Sequence, residues 1–351
     1  MSATNTYQRS DAENQLSELR DSARQVLSGL GLAVSEEKAW PIVTDLGWLL
    51  VGVPEKLGGL EQGVVGSCAF YSELGRSLAA APYIAATLAI DAICLSNIAD
   101  QQALVERFTT GDIVTASLAE SSAVIANNKV TGTMTGVPSA DKASHVLVTT
   151  ADGDHVALLA LSQPGVELIA RQTWDTTRRL FDVSFKDVAL DNALTLANGA
   201  AAKALSTRIF TLRDFALAAD AVGGAEALLE MTVEYLKTRK QFGRPLALFQ
   251  ALKHRCADLK MLISSAEALL NDSLSRVGNQ LEDTQAAAMG KAAKYLACSV
   301  YARVAEESLQ LHGGIGMTSE YPCHLYLKRA LLNEHLGSGN YELDIADHFL
   351  S

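Results

Sequence analysis

The sequence predicts a mostly helical, multidomain α+β chain, and three observations carry that expectation. Apolar residues recur at spacings of three and four in both the first and the last third of the chain. Between about residues 111 and 200 the period changes to alternation, the mark of half-buried strands. Gly243 and Pro245 then break a long helical pattern, since glycine permits a turn and proline lacks an N–H. The expected division is a helical domain over 1–110, a reduced β-domain over 111–200 and a helical bundle over 201–351.

In the first part, Leu16, Leu19, Ala23, Val26 and Leu27 form one amphipathic face. The stretch from Asp45 to Leu60 reads as a helix end running into a glycine-rich turn, with Trp48 as a core anchor. In the second part, His145 to Thr150 and His155 to Leu161 flank Asp152-Gly153 and predict a hairpin with a primed turn. Val183 to Val188 predicts a further strand. In the third part, Phe215, Leu217, Ala218, Ala221, Val222, Ala225, Leu228 and Leu229 mark one helix, and a second is expected from Leu246 to about Leu274. A third, alanine-rich, is expected over 284–311, with Asp283-Thr284 as its start and Gly313 as its stop.

The 351 residues supply ample material for a core, and with 6% aromatics that core must be largely aliphatic. A net charge of −11 argues against a nucleic-acid partner, whose phosphates need a basic face. Cys68, Cys94, Cys256, Cys298 and Cys323 form no C-x-x-C pair and are odd in number, so reduced thiols are expected. The N-terminus is polar and no apolar run reaches the roughly 18 residues of a membrane span, so the expected location is the cytoplasm.

The residues at the helix–turn–helix corner are more specific than their spacing. Arg239-Lys-Gln-Phe242-Gly-Arg-Pro245, followed by Phe249-Gln250, resembles the signature corner of the acyl-CoA dehydrogenase family of flavoproteins. Gln310-Leu-His-Gly313-Gly314-Ile-Gly316, ending in Tyr321-Pro322, resembles that family's later glycine-rich segment. Leu46-Gly47-Trp48 with Pro54-Glu55 and Gly58-Gly59 is similar to a stretch of its N-terminal domain. The resemblance implies the family fold: an N-terminal helical domain, a middle β-domain and a C-terminal four-helix bundle. It also implies FAD as cofactor, an acyl-CoA substrate and an electron-transfer flavoprotein as acceptor.

Two departures stand out against this resemblance. The family's flavin-gripping segments of the β-domain correspond here to Ser117–Ser122, which is shortened, and to Gly136–Ser139, where the usual tryptophan is absent and Pro138 has no N–H. The reaction needs a carboxylate beside the substrate's α-carbon, and the usual glutamate position falls on Gly337. The family's other position for the base falls on Arg213, with Asp214 beside it. Asp214 is the alternative base, although a neighbouring helical residue points about 100° away.

What the chain keeps is Arg239, Phe242, Gln250, Gln310 and Gly314. In the family these reach across a dimer interface to the diphosphate and adenosine half of the partner's flavin. The expectation is therefore one subunit of a heteromeric acyl-CoA dehydrogenase, α2β2, resembling the short degenerate subunits of bacterial steroid side-chain enzymes, with a homologous partner supplying the glutamate. The alternatives are a homo-oligomeric enzyme that uses Asp214, and a non-catalytic scaffold or thioester-binding subunit.

Overall fold

The computed structural model describes residues 3–191 and 193–337, with side chains from Leu16 onward. Five helices come first: α1 (Ala3–Leu30), α2 (Glu36–Asp45), α3 (Gly63–Ser77), α4 (Tyr83–Leu95) and α5 (Gln101–Thr109). The amphipathic face of α1 buries Ala23 and Leu27. Trp48 is a core anchor, its ring 5.0 Å from Phe70 and its carbonyl accepting the Tyr83 hydroxyl at 2.9 Å.

Eight strands follow: β1 (Val114–Ala116), β2 (Val124–Ala126), β3 (Lys129–Pro138), β4 (His145–Thr149), β5 (His155–Ala160), β6 (Val166–Arg171), β7 (Leu180–Ala189) and β8 (Leu194–Asn198). They form two four-stranded sheets, β1-β4-β5-β8 and β2-β3-β7-β6. Their facing sides bury a separate core that includes Met134, Val137, Val148, Leu159, Phe181 and Val183. The hairpin of β4 and β5 forms as expected, but its turn is not a primed two-residue one. Thr150 and His155 still pair, leaving a four-residue loop in which Gly153 alone has positive φ, at 71°. Asp152 explains the longer loop, because its carboxylate accepts both the Thr150 hydroxyl and the Asp154 N–H.

The last part contains α6 (Gly199–Thr238), a two-stranded ribbon of β9 (Lys240–Gln241) and β10 (Arg244–Pro245), then α7 (Gln250–Val277), α8 (Thr284–His312) and α9 (Cys323–His335). Asp283 caps α8 by accepting the Gln285 N–H, and Gly313 ends it with φ 64°. All five cysteines are free thiols in helices, four of them buried. Burial pushes Cys68, Cys94, Cys298 and Cys323 up to about 12, so they are packing groups rather than nucleophiles.

Helix α6 is the axis of the molecule. Every residue from Thr211 to Ala225 is buried, with α3 on one side and α8 on the other. Glycines make this contact close enough to work. A Cβ on Gly223 would sit 2.0 Å from the Ser72 carbonyl oxygen, and one on Gly224 would sit 2.5 Å from the Tyr301 ring. The obstacle at Gly223 is backbone, which cannot swing aside. Gly223→Ala is expected to destabilise the fold by about 2–3 kcal/mol, read as a lower thermal unfolding midpoint, whereas Gly29→Ala in α1, with nothing within 4 Å, should leave the midpoint no lower, because alanine favours the helix.

Candidate functional site

Helix α6 ends at Thr238, and the chain turns back through the ribbon of β9 and β10. Phe242 and Gly243 occupy the two turn positions with φ of 52° and 76°, the geometry of a primed hairpin turn. Phe242 pays a conformational cost to sit there and gains no burial, being 89% exposed. Its ring meets Phe249 edge-on at 6.0 Å, and the Arg244 guanidinium lies 4.1 Å from the Phe249 ring centroid. The hairpin base is closed by the Leu246 N–H on the Arg239 carbonyl at 2.9 Å.

The second motif lies next to the first. The Tyr235 ring, one turn before Arg239, stacks on His312 at 4.5 Å, and Tyr321 covers His312 at 4.8 Å. The structure thus brings together the Arg239 hairpin, Gln250 at the start of α7, and Gln310 and Gly314 at the end of α8. All five side-chain positions are exposed. Among the described residues the Arg239 guanidinium has no hydrogen bond or ion pair, and a Cβ on Gly314 would meet nothing within 4 Å.

The remaining sequence candidates converge on a different place, between the β-domain and the bundle. Leu118 N–H donates to the Gly136 carbonyl at 3.1 Å, joining Ser117–Ser122 to Gly136–Ser139. Gly337 N–H donates to the Leu118 carbonyl at 2.8 Å, and Arg213 Nη1 donates to the Ala119 carbonyl at 3.1 Å. Asp214 is 2% exposed and pairs with Arg213 Nε at 3.1 Å. Lys294 lies buried nearby and donates to the Glu334 carbonyl at 3.0 Å; burial lowers its pKa.

These contacts test whether a flavin fits each place. Between the β-domain and the bundle, Gly337 is bonded to Leu118 and Leu336 packs towards Gly136, so neither a carboxylate nor a tryptophan is offered to a ring there. The exposed set does fit part of the cofactor. A guanidinium suits diphosphate oxygens, two glutamine amides can donate and accept, and open glycine backbone allows close approach.

A buried cluster escaped the sequence reading. Asp220 on α6 accepts Arg178 at 2.7 Å, Asn333 at 2.8 Å and Arg329 at 3.3 Å. Arg329 also donates to Asp175 at 2.8 Å and to Thr177. The cluster ties the loop before β7 to α6 and α9. Its one signal in the sequence is Asp220 itself, the sole charged residue between Asp214 and Glu226. Burial pushes Asp175 up, but Arg329, Thr177 and Arg178 together outweigh it and hold its carboxyl below the usual range. Its contribution to stability is therefore complete above the unfolded carboxylate pKa and is lost as pH falls through the lower folded value. Arg329→Met removes the ion-pair partner of buried Asp175, while Asp220 keeps Arg178 and Asn333, and is expected to destabilise the protein by about 3–5 kcal/mol in denaturant titration at neutral pH, with a smaller penalty in acid.

Helices flank a two-sheet β-domain, and an exposed polar and cationic corner ends the long central helix. Residues 203–347 match the model of the acyl-CoA dehydrogenase C-terminal domain. The chain is 32% identical to acyl-CoA dehydrogenase IpdE2 of Mycobacterium tuberculosis over 84% of its own length and 80% of the relative's. Two solved structures are similar throughout. One, described as the Tcur3481-Tcur3483 steroid ACAD G363A variant, has a TM-score of 0.83 at 26% identity, covering 97% of this chain and 98% of that one. The other, the ChsE4-ChsE5 complex from Mycobacterium tuberculosis, has a TM-score of 0.78 at 27% identity, covering 93% and 92%. The chain belongs to the acyl-CoA dehydrogenase family, whose members bind FAD. Among the described residues no helix is long and apolar enough to cross a membrane.

Proposed function

We propose that this chain is one subunit of a heteromeric, FAD-dependent acyl-CoA dehydrogenase. It lends Arg239, Phe242, Gln250, Gln310 and Gly314 to the diphosphate and adenosine half of a flavin seated mainly in a homologous partner. The observation that carries this reading is a contrast within one chain. The residues suited to a neighbour's cofactor stand exposed and unused, while the segments that would hold the chain's own flavin ring are shortened at Ser117–Ser122, lack the tryptophan at Gly136–Ser139 and meet a glycine, Gly337, through Leu118. The pairing of two differently named chains in the similar solved structures supports it.

On this reading the partner supplies the catalytic glutamate, since Gly337 has no side chain to take a proton. Bound FAD supplies hydride acceptance for α,β-dehydrogenation of an acyl-CoA to the trans-2-enoyl-CoA. This chain's part is to bind and orient: Arg239 neutralises diphosphate charge, and the glutamines fix the direction of the adenosine half. An α2β2 assembly, electron-transfer flavoprotein as acceptor, and a bulky acyl group such as a steroid side chain complete the proposal. Asp214 is a poor rival base, because its carboxylate is buried against Arg213 and turned from solvent.

The deciding measurement is visible flavin absorbance of the chain purified alone and co-purified with its partner. The expected result is no flavin alone and about one per pair together. A full complement in the lone chain would overturn the heteromeric reading, and loss of turnover in Asp214→Asn with flavin retained would then assign the base. In the complex, Arg239→Ala is expected to weaken flavin binding roughly 10- to 100-fold, the worth of a charged hydrogen bond of about 1.5–3 kcal/mol. Flavin binding unaffected by that change would leave the scaffold reading.

A further inference from the structure

The two cofactor-lending segments are separated by the 59 residues of chain between Gln250 and Gln310, and both are exposed. Their cofactor-facing residues project beyond the packed faces of α6 and α8. Something must fix the Arg239 hairpin relative to the Gln310–Gly314 segment, because a diphosphate is recognised only if its donors keep their spacing.

His312 stands at that junction. It is the last residue of α8, 3% exposed, and lies between the two glutamine and glycine ligands proposed above. Its ring is stacked on Tyr235 at 4.5 Å with an interplanar angle of 27°, and Tyr321 approaches at 4.8 Å. Nδ1 lies 2.7 Å from the Ser308 carbonyl, an acceptor, so Nδ1 carries the proton. Nε2 is buried and has no hydrogen-bond partner among the described residues. The tie runs in both directions: the Tyr235 hydroxyl donates to the His312 carbonyl at 3.2 Å, and the Tyr235 carbonyl accepts the Arg239 N–H at 2.8 Å. A single side-chain stack therefore connects the backbone of Arg239 to the backbone that precedes Gly313.

A buried ring nitrogen without a partner costs free energy, and a leucine or phenylalanine would fill the same box without that penalty. The histidine is accounted for by geometry. Its Nδ1–H fixes the ring plane against Ser308, one helical turn back, and the fixed plane sets where Tyr235 packs.

We infer that His312 is a positioning residue for flavin, holding the Arg239 hairpin in register with Gln310 and Gly314 through Tyr235. This rests on the cofactor-lending role proposed above. It makes His312 selective for one half of the cofactor, the adenosine diphosphate half, which FMN lacks.

The test measures FAD and FMN affinities for the co-purified complex carrying His312→Ala, His312→Phe or Arg239→Ala in this chain, each with its unfolding midpoint. In His312→Ala, FAD affinity should fall at least 10-fold while FMN affinity stays within about 3-fold. His312→Phe, which keeps the stack and loses the Ser308 bond, should fall between Ala and wild type. Equal losses for FAD and FMN, or a loss matched by general unfolding in both variants, would show an ordinary packing role and overturn the inference. So would wild-type FAD affinity in His312→Ala while Arg239→Ala loses it. Wild-type affinity in Arg239→Ala as well would instead overturn the cofactor-lending role on which the inference stands.

Discussion

The burial of α6 on every side is the constraint from which the rest of the architecture follows. A helix enclosed in this way cannot present a polar stripe to water, so its middle must be small or aliphatic wherever a neighbour approaches closely. Gly223 and Gly224 are admissible mid-helix, despite a propensity cost of about 1 kcal/mol each relative to alanine, because α3 and α8 press against backbone there. The same enclosure explains why Asp220 must be saturated. A carboxylate 2% exposed in such surroundings is tolerable only with Arg178, Arg329 and Asn333 all donating to it. The β-domain, α6 and α9 are thus joined where one charge had to be neutralised.

Rigidity at the centre has a counterpart at the ends of the helices. The corner after α6 and the end of α8 project beyond the packed region and expose side chains whose chemistry is polar and cationic. Phe242 is the clearest sign that this corner is shaped for contact. An aromatic ring held at positive φ and left in solvent lowers neither the conformational nor the hydration free energy of the isolated chain. It is intelligible as half of an interface.

Much of this was legible in the sequence. The period of apolar residues marked the helices around Phe215 and over 284–311, and Asp283 and Gly313 marked the ends of α8, because local capping chemistry decides such ends. The corner motifs gave the family. The turn between β4 and β5 was misread, since Asp152 can bond either its own loop or a following strand, and only the fold selects between them. The Asp175–Arg329 cluster was hidden for a different reason. Its members lie on three elements far apart in sequence, and apart from Asp220 each alone reads as a surface polar group. The meeting of Ser117–Ser122, Gly136–Ser139, Arg213 and Gly337 through main-chain contacts was not legible. A backbone hydrogen bond carries no residue signature.

The bond from Gly337 to Leu118 also bears on what position 337 can hold. Gly337 has φ 95°, a conformation that glycine adopts freely and a glutamate does not. A glutamate placed at that position would meet an unfavourable backbone in a segment whose N–H is already committed to the Leu118 carbonyl. Restoring a carboxylate at this position would therefore take a change of backbone as well as of side chain.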